Sequence, residues 1–371
     1  MLHKITFIGL GSGGNQVADL TSQKEINSIA VNSTKIDTVG INHVKDIIYI
    51  GEEGCGKIRK NGKDLVKKSA SNYIPKLAEY CSDSDLIIVG GGLGGGTCSG
   101  SAPITADLLR SYFKSQKKNP KIICCGILPD SGEDPRAQRN AIEAVKELAS
   151  INMPYMLLDN STVQGSPVTK YNTINNSIVE DIQILRGDYN LPSAYGNMDV
   201  KDSNQILSVP GLLTVNKISG FKKTSLDKED FDSLILKSIK ESYNVQLEKD
   251  KVIGRMGIII SLTEEMLEGF DRSIPKVKEE LGVASEIYIH VNVVEDEKEA
   301  SIITIISGLS APESRLEEMA EIITSAKESI TKTSKADVDK IDSETNWLDL
   351  DDEEDGEDED TPSFEDTLKN W

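Results

Sequence analysis

The chain has 371 residues and a formal net charge of −20, from 41 Lys and Arg against 61 Asp and Glu, with only 3 His. So few histidines leave no room for a His-based triad or a multi-histidine metal site, and 5 Cys without a CxxC pair suit neither a zinc site nor a disulfide framework, so buried reduced thiols are expected. No stretch approaches 18 apolar residues and the N-terminal apolar run is too short for a signal peptide, so the expected setting is cytoplasmic without membrane contact.

Along the first half, short apolar runs alternate with amphipathic stretches. KITFIGL is a predicted strand, and GLGSGGN after it opens a predicted helix. Gly9, Gly11 and Gly14 satisfy G-x-G-x-x-G in strand-to-helix context, which favours a phosphate at a helix N-terminus. NSIAVN is the second predicted strand, and it ends in Asn32 where a dinucleotide-binding fold would carry Asp or Glu. GEEGCGKI follows the strand DIIYIG and matches G-x-x-x-x-G-K, but Ile58 stands where a P-loop needs Ser or Thr, so it reads as a loop covering phosphates.

After a long predicted helix and the strand DLIIVGG comes VGGGLGGGTCSGSAP, with seven glycines in fifteen residues. The amphipathic SAPITADLLRSYF follows, so this is no linker. Glycines let successive backbone N–H groups converge on anionic oxygens, and Thr97, Ser99 and the next helix N-terminus add donors. KIICCGIL and MPYMLLDN are further strands, flanking the helix RAQRNAIEAVKELAS. Alternation of this kind implies a doubly wound, mostly parallel sheet, with ligand in the crevice at the strand carboxyl ends.

From Val168 to Arg186, apolar Ile174, Ile178, Ile182 and Leu185 recur at helical spacing, giving one long helix. A polar loop containing NMDVKD comes next. The second half then reads as a smaller α/β domain: strands GLLTVNKI, GRMGIIISL, SEIYIHVNVV and ASIITIISGL, the helix DFDSLILKSIKESY, and a last helix PESRLEEMAEIITSAKESI. Residues 335–371 carry 16 Asp and Glu against 3 Lys and Arg. Such a block is expected to be solvated and disordered, and it cannot contact nucleic-acid phosphates directly.

These residues resemble the tubulin/FtsZ superfamily, whose signature is GGGTGSG or GGGTGTG; here GGGTCSG at 94–100 has Cys98 in place of one glycine. The resemblance covers roughly residues 1–330 in collinear order. It implies an α/β fold with a Rossmann-like parallel-sheet GTP-binding domain at 1–168 and a long central helix at 169–190. A catalytic loop at 191–207, a smaller α/β activation domain at 208–311, a C-terminal helix at 312–334 and the acidic tail would follow.

By the same resemblance Gly11, Ser12, Gly13, Gly14 and Asn15 form the first nucleotide loop, and Asn32 lies near base or ribose. Gly54, Cys55 and Gly56 sense the γ-phosphate. Gly94, Gly95, Gly96, Thr97, Cys98, Ser99 and Gly100 hold phosphates. Glu133 and either Arg136 or Arg139 contact phosphate or ribose, while Tyr171 stacks on guanine and Asn175, one turn later, meets its polar edge. Asn197, Asp199 and Asp202 match the N-x-D-x-x-D loop that one subunit inserts into the nucleotide site of the next, orienting the water that attacks the γ-phosphate.

The implied ligands are GTP or GDP with Mg2+, and the implied partner is a second copy in a head-to-tail filament. GCGK, LPDSGEDPR and LLDN look most like the plasmid- and phage-borne TubZ branch, which adds a DNA-bound adaptor as partner and DNA positioning as the task. An FtsZ-like division filament is the alternative. A hydrolysis-dead filament and an NAD-dependent oxidoreductase are weaker ones, the latter resting only on Gly9, Gly11 and Gly14.

Overall fold

The computed structural model describes residues 3–188, 193–196, 198–223, 230–250, 252–268 and 273–337; Asn197 and most of the acidic tail lie outside the described residues. The first half follows the expected alternation. Strands β1 (Ile5–Leu10), β2 (Asn27–Asn32), β3 (Asp46–Tyr49), β4 (Leu86–Gly92), β5 (Lys121–Leu128) and β6 (Pro154–Asp159) pair in parallel in the order β3-β2-β1-β4-β5-β6. Near-continuous burial of β1, β4, β5 and β6 is what a parallel sheet covered on both faces requires.

The helices divide by face. Helices α2 (Arg59–Tyr80), α3 (Gly96–Ser115) and α4 (Pro135–Ser150) share one hydrophobic cluster with Ile8 and Leu10, while α1 (Gly11–Gln23) and α5 (Pro167–Arg186) share the other with Ile5 and Phe7. Alternate residues of one strand therefore feed two cores. Helix α5 has well-defined ends. Ser166 caps its first turn by accepting from the Thr169 N–H at 3.2 Å, Pro167 occupies the first helical position, and Gly187 closes it in the left-handed region at φ 94°.

The second half holds β7 (Ser193–Tyr195), β8 (Gly211–Ser219), β9 (Val252–Leu262), β10 (Val283–Val293) and β11 (Ser301–Leu309). These strands extend the first sheet rather than closing a sheet of their own, giving eleven strands with the order …β6-β8-β11-β9-β10-β7. The junction is narrow, because β6 and β8 pair only through Pro154 with Gly211 and Tyr155 with Leu212. Beyond it the sheet is mixed.

Among the described residues this half also holds the helices α6 (Val200–Ile206), α7 (Phe231–Lys240), α8 (Glu264–Leu267) and α9 (Pro275–Leu281). The C-terminal α10 (Glu313–Asp337) returns to pack on α4, with Met319 fully buried. Helix α6 falls where the sequence reads as polar loop. All five cysteines are free and buried, and burial pushes the Cys81 and Cys124 thiols up to about 12.

Candidate functional site

Strand order reverses between β1 and β4, and a cavity of about 200 Å³ opens there at the strand carboxyl ends. Ser12, Gly13 and Gln16 line it from α1, Gly92, Gly94 and Gly95 from the β4–α3 turn, and Pro129 and Glu133 from the β5–α4 turn. Ile127 of β5, Asn160 just past β6, and Tyr171 and Asn175 of α5 complete the wall. Seven of these residues are site residues expected from the sequence. Gln16, Gly92, Ile127, Pro129 and Asn160 are not.

Two helices point their N-termini at this cavity, and neither is capped by a side chain. The N-cap residues are Leu10 for α1 and Gly95 for α3, and no acidic residue sits in either first turn. Asp134 caps α4, Ser166 α5, Asp199 α6 and Asp230 α7, whereas α2, α8 and α9, which do not line the cavity, also lack a side-chain cap. Uncapped first turns leave backbone N–H groups and the positive end of each helix dipole for an anion.

The glycines sort by what surrounds them. A Cβ on Gly90 would fall 1.9 Å from the Cys125 carbonyl oxygen, so that glycine is demanded by strand packing. A Cβ on Gly92 or Gly95 would meet nothing within 4 Å. Protein contacts do not require glycine at these two places, and the open space belongs to the cavity.

The other glycine loop converges on the same helix end. Gly54 donates its N–H to the Ser33 carbonyl at 3.1 Å, Ser33 Oγ lies 2.8 Å from Thr97 Oγ1, and a Cβ on Gly96 would press on Cys55 at 2.9 Å. Gly11 approaches Thr97 similarly, at 3.3 Å for its notional Cβ. Asn140 ties the loops by donating to the Lys57 carbonyl at 2.9 Å and the Gly94 carbonyl at 3.1 Å. Lys57 itself is bonded to the Asp134 carboxylate. Cys98 and Gly100 lie buried in α3, and Ser99 donates back to the Gly95 carbonyl.

Several buried polar atoms have no partner: both amide atoms of Asn15, Nδ2 of Asn32, Oε1 of Gln138 and Oδ1 of Asn160. Of these residues Asn160 lines the cavity, whereas Asn15 and Asn32, expected at the nucleotide, do not. Groups of this kind ordinarily find a hydrogen bond, so the Asn160 oxygen fits a polar ligand in the crevice. Asn175 Nδ2 donates to Gln16 Oε1 at 3.3 Å, coupling α5 to α1 across the cavity. Glu133 accepts from the Asp130 N–H at 3.0 Å, yet burial holds its carboxyl above the usual range. Neither Arg136 nor Arg139 lines the cavity, and Arg139 instead pairs with Glu143 along α4 at 2.8 Å.

The acidic segment is placed elsewhere. Asp199 is the N-cap of α6: its Oδ1 accepts from the N–H groups of Lys201 at 2.7 Å and Asp202 at 3.0 Å, and Asp202 Oδ2 accepts from the Asp199 N–H at 3.0 Å. This reciprocal capping box uses one oxygen of each carboxylate and leaves the other outside it. The buried His290 accepts the Met198 N–H at Nδ1, 3.2 Å, and donates its Nε2–H to Asn292 Oδ1 at 2.8 Å. His3 Nε2 lies 3.0 Å from Ser203 Oγ.

His3 precedes β1, whereas Ser12 follows it. Six residues of strand separate the two ends by about 20 Å. Likewise Tyr171 and Asn175 lie in the first half of α5, while its last residue, Arg186, accepts the His3 N–H at 2.9 Å. The glycine crevice and the two aspartates thus occupy opposite ends of one molecule and cannot meet within it.

Residues 4–166 match the family model for the Tubulin/FtsZ family, GTPase domain. The chain is 27% identical over 248 residues to the tubulin-like protein TubZ of Clostridium botulinum C phage, a match spanning 65% of each chain. It is 24% identical over 341 residues to a tubulin-like CetZ of Thermococcus kodakarensis, covering 86% of this chain and 85% of that one. The cell division protein FtsZ of Mycoplasmopsis pulmonis is 24% identical over 224 residues, 58% of this chain and 56% of that one. Among solved structures, that of the C. botulinum phage c-st TubZ superposes with a TM-score of 0.70 at 21% identity, over 89% of this chain and all of that one. A GTPγS-bound protofilament of CetZ2 from Haloferax volcanii gives 0.70 at 19% identity, over 87% and 99%. Among the described residues, no helix is long and apolar enough to cross a membrane.

Proposed function

Starting from residues 4–166 as a tubulin/FtsZ-family GTPase domain, we propose that the chain binds GTP in the β1–β4 crevice and hydrolyses it only when a second copy docks head to tail. The separation of the crevice from Asp199 and Asp202 along β1 and α5 carries this reading. A single molecule holds the phosphates at one end and the acidic groups at the other, so stacking copies in one direction brings them together and generates an open filament.

In this reading the N–H groups of the first turns of α1 and α3 receive the phosphates, with the loop from Gly54 to Gly56 covering the terminal one. Tyr171 lies against the purine, and Asn175, Gln16 and Asn160 bond its polar edges or the ribose. The oxygens of Asp199 and Asp202 that lie outside the capping box orient the attacking water in line with the γ-phosphate. Magnesium on the nucleotide would neutralise charge on the β- and γ-oxygens. Asn32, in place of an acidic residue, and the GTPase-domain match both speak against a nicotinamide cofactor.

For the filament's task, the phage-borne TubZ relative at 27% identity favours a plasmid or phage role, DNA positioning through a DNA-bound adaptor is carried by the sequence resemblance alone, and the FtsZ relative keeps a division filament as the alternative. The deciding measurement for the shared site is phosphate release against protein concentration. Turnover per molecule should rise steeply above a critical concentration at which filaments form. First-order hydrolysis by dilute, unassociated molecules would overturn the proposal.

A further inference from the structure

The β5 and β6 ends of the crevice are buttressed from outside by a residue far away in sequence. Arg315, in the first turn of α10, is 5% exposed. Its Nε donates to Asp159 Oδ2 at 2.7 Å, and its Nη2 donates to the Pro129 carbonyl at 3.0 Å and to Asp159 Oδ1 at 3.4 Å. Pro129 lines the cavity. Asp159 precedes Asn160, which also lines it, and its Oδ1 accepts the Ser161 N–H at 2.9 Å, setting the short turn that presents Asn160.

One turn along α10, Glu318 forms a 3.1 Å ion pair with Arg315 and accepts from Ser131 Oγ at 3.0 Å. Ser131 adjoins Asp130, whose N–H holds the Glu133 carboxylate. A single helix therefore grips the turns that supply Pro129, Glu133 and Asn160.

Helix α10 does not need an arginine here to stay attached, since Met319 is fully buried beside it and the helix packs along α4. Desolvating a guanidinium and a carboxylate is costly, and a well-packed apolar pair often serves stability as well. What the planar fork adds is direction, because it fixes a carboxylate and a carbonyl at set distances from one another.

We propose that Arg315 is a positioning residue for the crevice, and that docking of α10 and occupancy of the crevice by a guanine nucleotide are thermodynamically coupled. The inference rests on the nucleotide reading above. Because such coupling is reciprocal, nucleotide must tighten α10 as much as α10 tightens nucleotide. Any partner that pulls α10 away would then loosen the nucleotide.

The test uses the full chain and GDP, which avoids turnover. GDP affinity is measured by titration for the unaltered protein, for Arg315→Lys, and for the paired change Arg315→Gln with Asp159→Asn, which leaves no buried charge alone. Amide exchange over residues 313–329 of the unaltered protein is followed with and without saturating GDP. Weakening of GDP binding by about tenfold in variants that still unfold cooperatively, together with slower exchange in α10 when GDP is present, supports the coupling. Folded variants that bind GDP within about twofold of the unaltered chain, or α10 exchange that ignores GDP, overturn it. Should neither variant fold, the exchange comparison decides alone. An unaltered chain that binds no GDP overturns the nucleotide reading itself, and this inference with it.

Discussion

His3 Nε2 and Ser203 Oγ lie 3.0 Å apart, which pins the helix bearing Asp202 beside the start of the strand whose other end leads into Ser12. In the head-to-tail arrangement proposed above, this contact would make β1 the spacer between the crevice and the aspartates. With His290 gripping the backbone of Met198, it holds the acidic helix before any partner arrives, so assembly need not order that helix.

Asp199 caps α6, and one substitution can separate that role from the catalytic one proposed for it. Asn is as good an N-cap as Asp, so Asp199→Asn should keep α6 folded and leave GTP binding intact. Loss of the charge should lower turnover in the assembled state by about 10²- to 10⁴-fold. Asp199→Ala should lose turnover and also about 1 kcal/mol of cap stability. Steady-state GTPase rates above the critical concentration, set beside thermal melts, check both. Full turnover in the Asn variant would remove Asp199 from the chemistry.

Gly95 and Gly90 should respond oppositely to a methyl group. Gly95 has φ −84° and ψ 162°, which alanine adopts readily, and its Cβ would enter the open crevice. The smaller unfolded-state entropy of alanine is offset by its poorer N-capping of α3, so Gly95→Ala should melt within a few degrees of the parent while weakening nucleotide binding by about tenfold or more. Gly90→Ala would drive a Cβ into the Cys125 carbonyl and should destabilise by about 3 kcal/mol or more. Equal nucleotide affinity in Gly95→Ala would mean that the phosphates lie elsewhere.

Tyr171 is 42% exposed on the cavity rim, as a ring awaiting a stacking partner would be. Tyr171→Ala should cost roughly 1 kcal/mol of nucleotide affinity and Tyr171→Phe almost none. Titration with GDP distinguishes them. A Phe variant as weak as Ala would assign the role to the hydroxyl instead.

Asp181 is buried on α5 with its Oδ2 unbonded, and desolvation raises its pKa well above the ordinary 3.8. Between that ordinary value and the raised one, the folded chain keeps a proton that the unfolded chain has released. Stability therefore falls as pH rises through this window. Asp181→Asn cannot titrate, so the drop in melting temperature across the window should shrink. Parallel pH profiles for variant and parent would show that Asp181 is not the source.

The β/α alternation was legible because each buried strand is a short apolar run and each crossover helix has a helical apolar period. The glycine turns were legible because two of them sit between a strand and a helix, where glycine is otherwise unfavourable. Helix α6 was not: NMDVKDSNQI has too few apolar residues to show a period, and its helix is set by the cap between Asp199 and Asp202 and by His290. Gln16 carried a faint signal, one turn after Ser12 on the same helix. Asn160 had one too, directly beyond the end of β6. Arg315 had none, because its partner Asp159 is 156 residues away and only the packing of α10 on α4 joins them. The continuation of one sheet across Pro154 and Tyr155 was equally hidden, since two paired rows leave no imprint on either strand's pattern.

Binding of an anionic ligand at the bare first turns of α1 and α3 would tie the protein's lifetime to the supply of that ligand. With an anion seated there, both helix ends gain the missing acceptors, and folding is favoured by a term that grows with the logarithm of free ligand concentration. Depletion of that ligand would return the chain to its least durable condition. Susceptibility to proteases would then track the supply of the ligand.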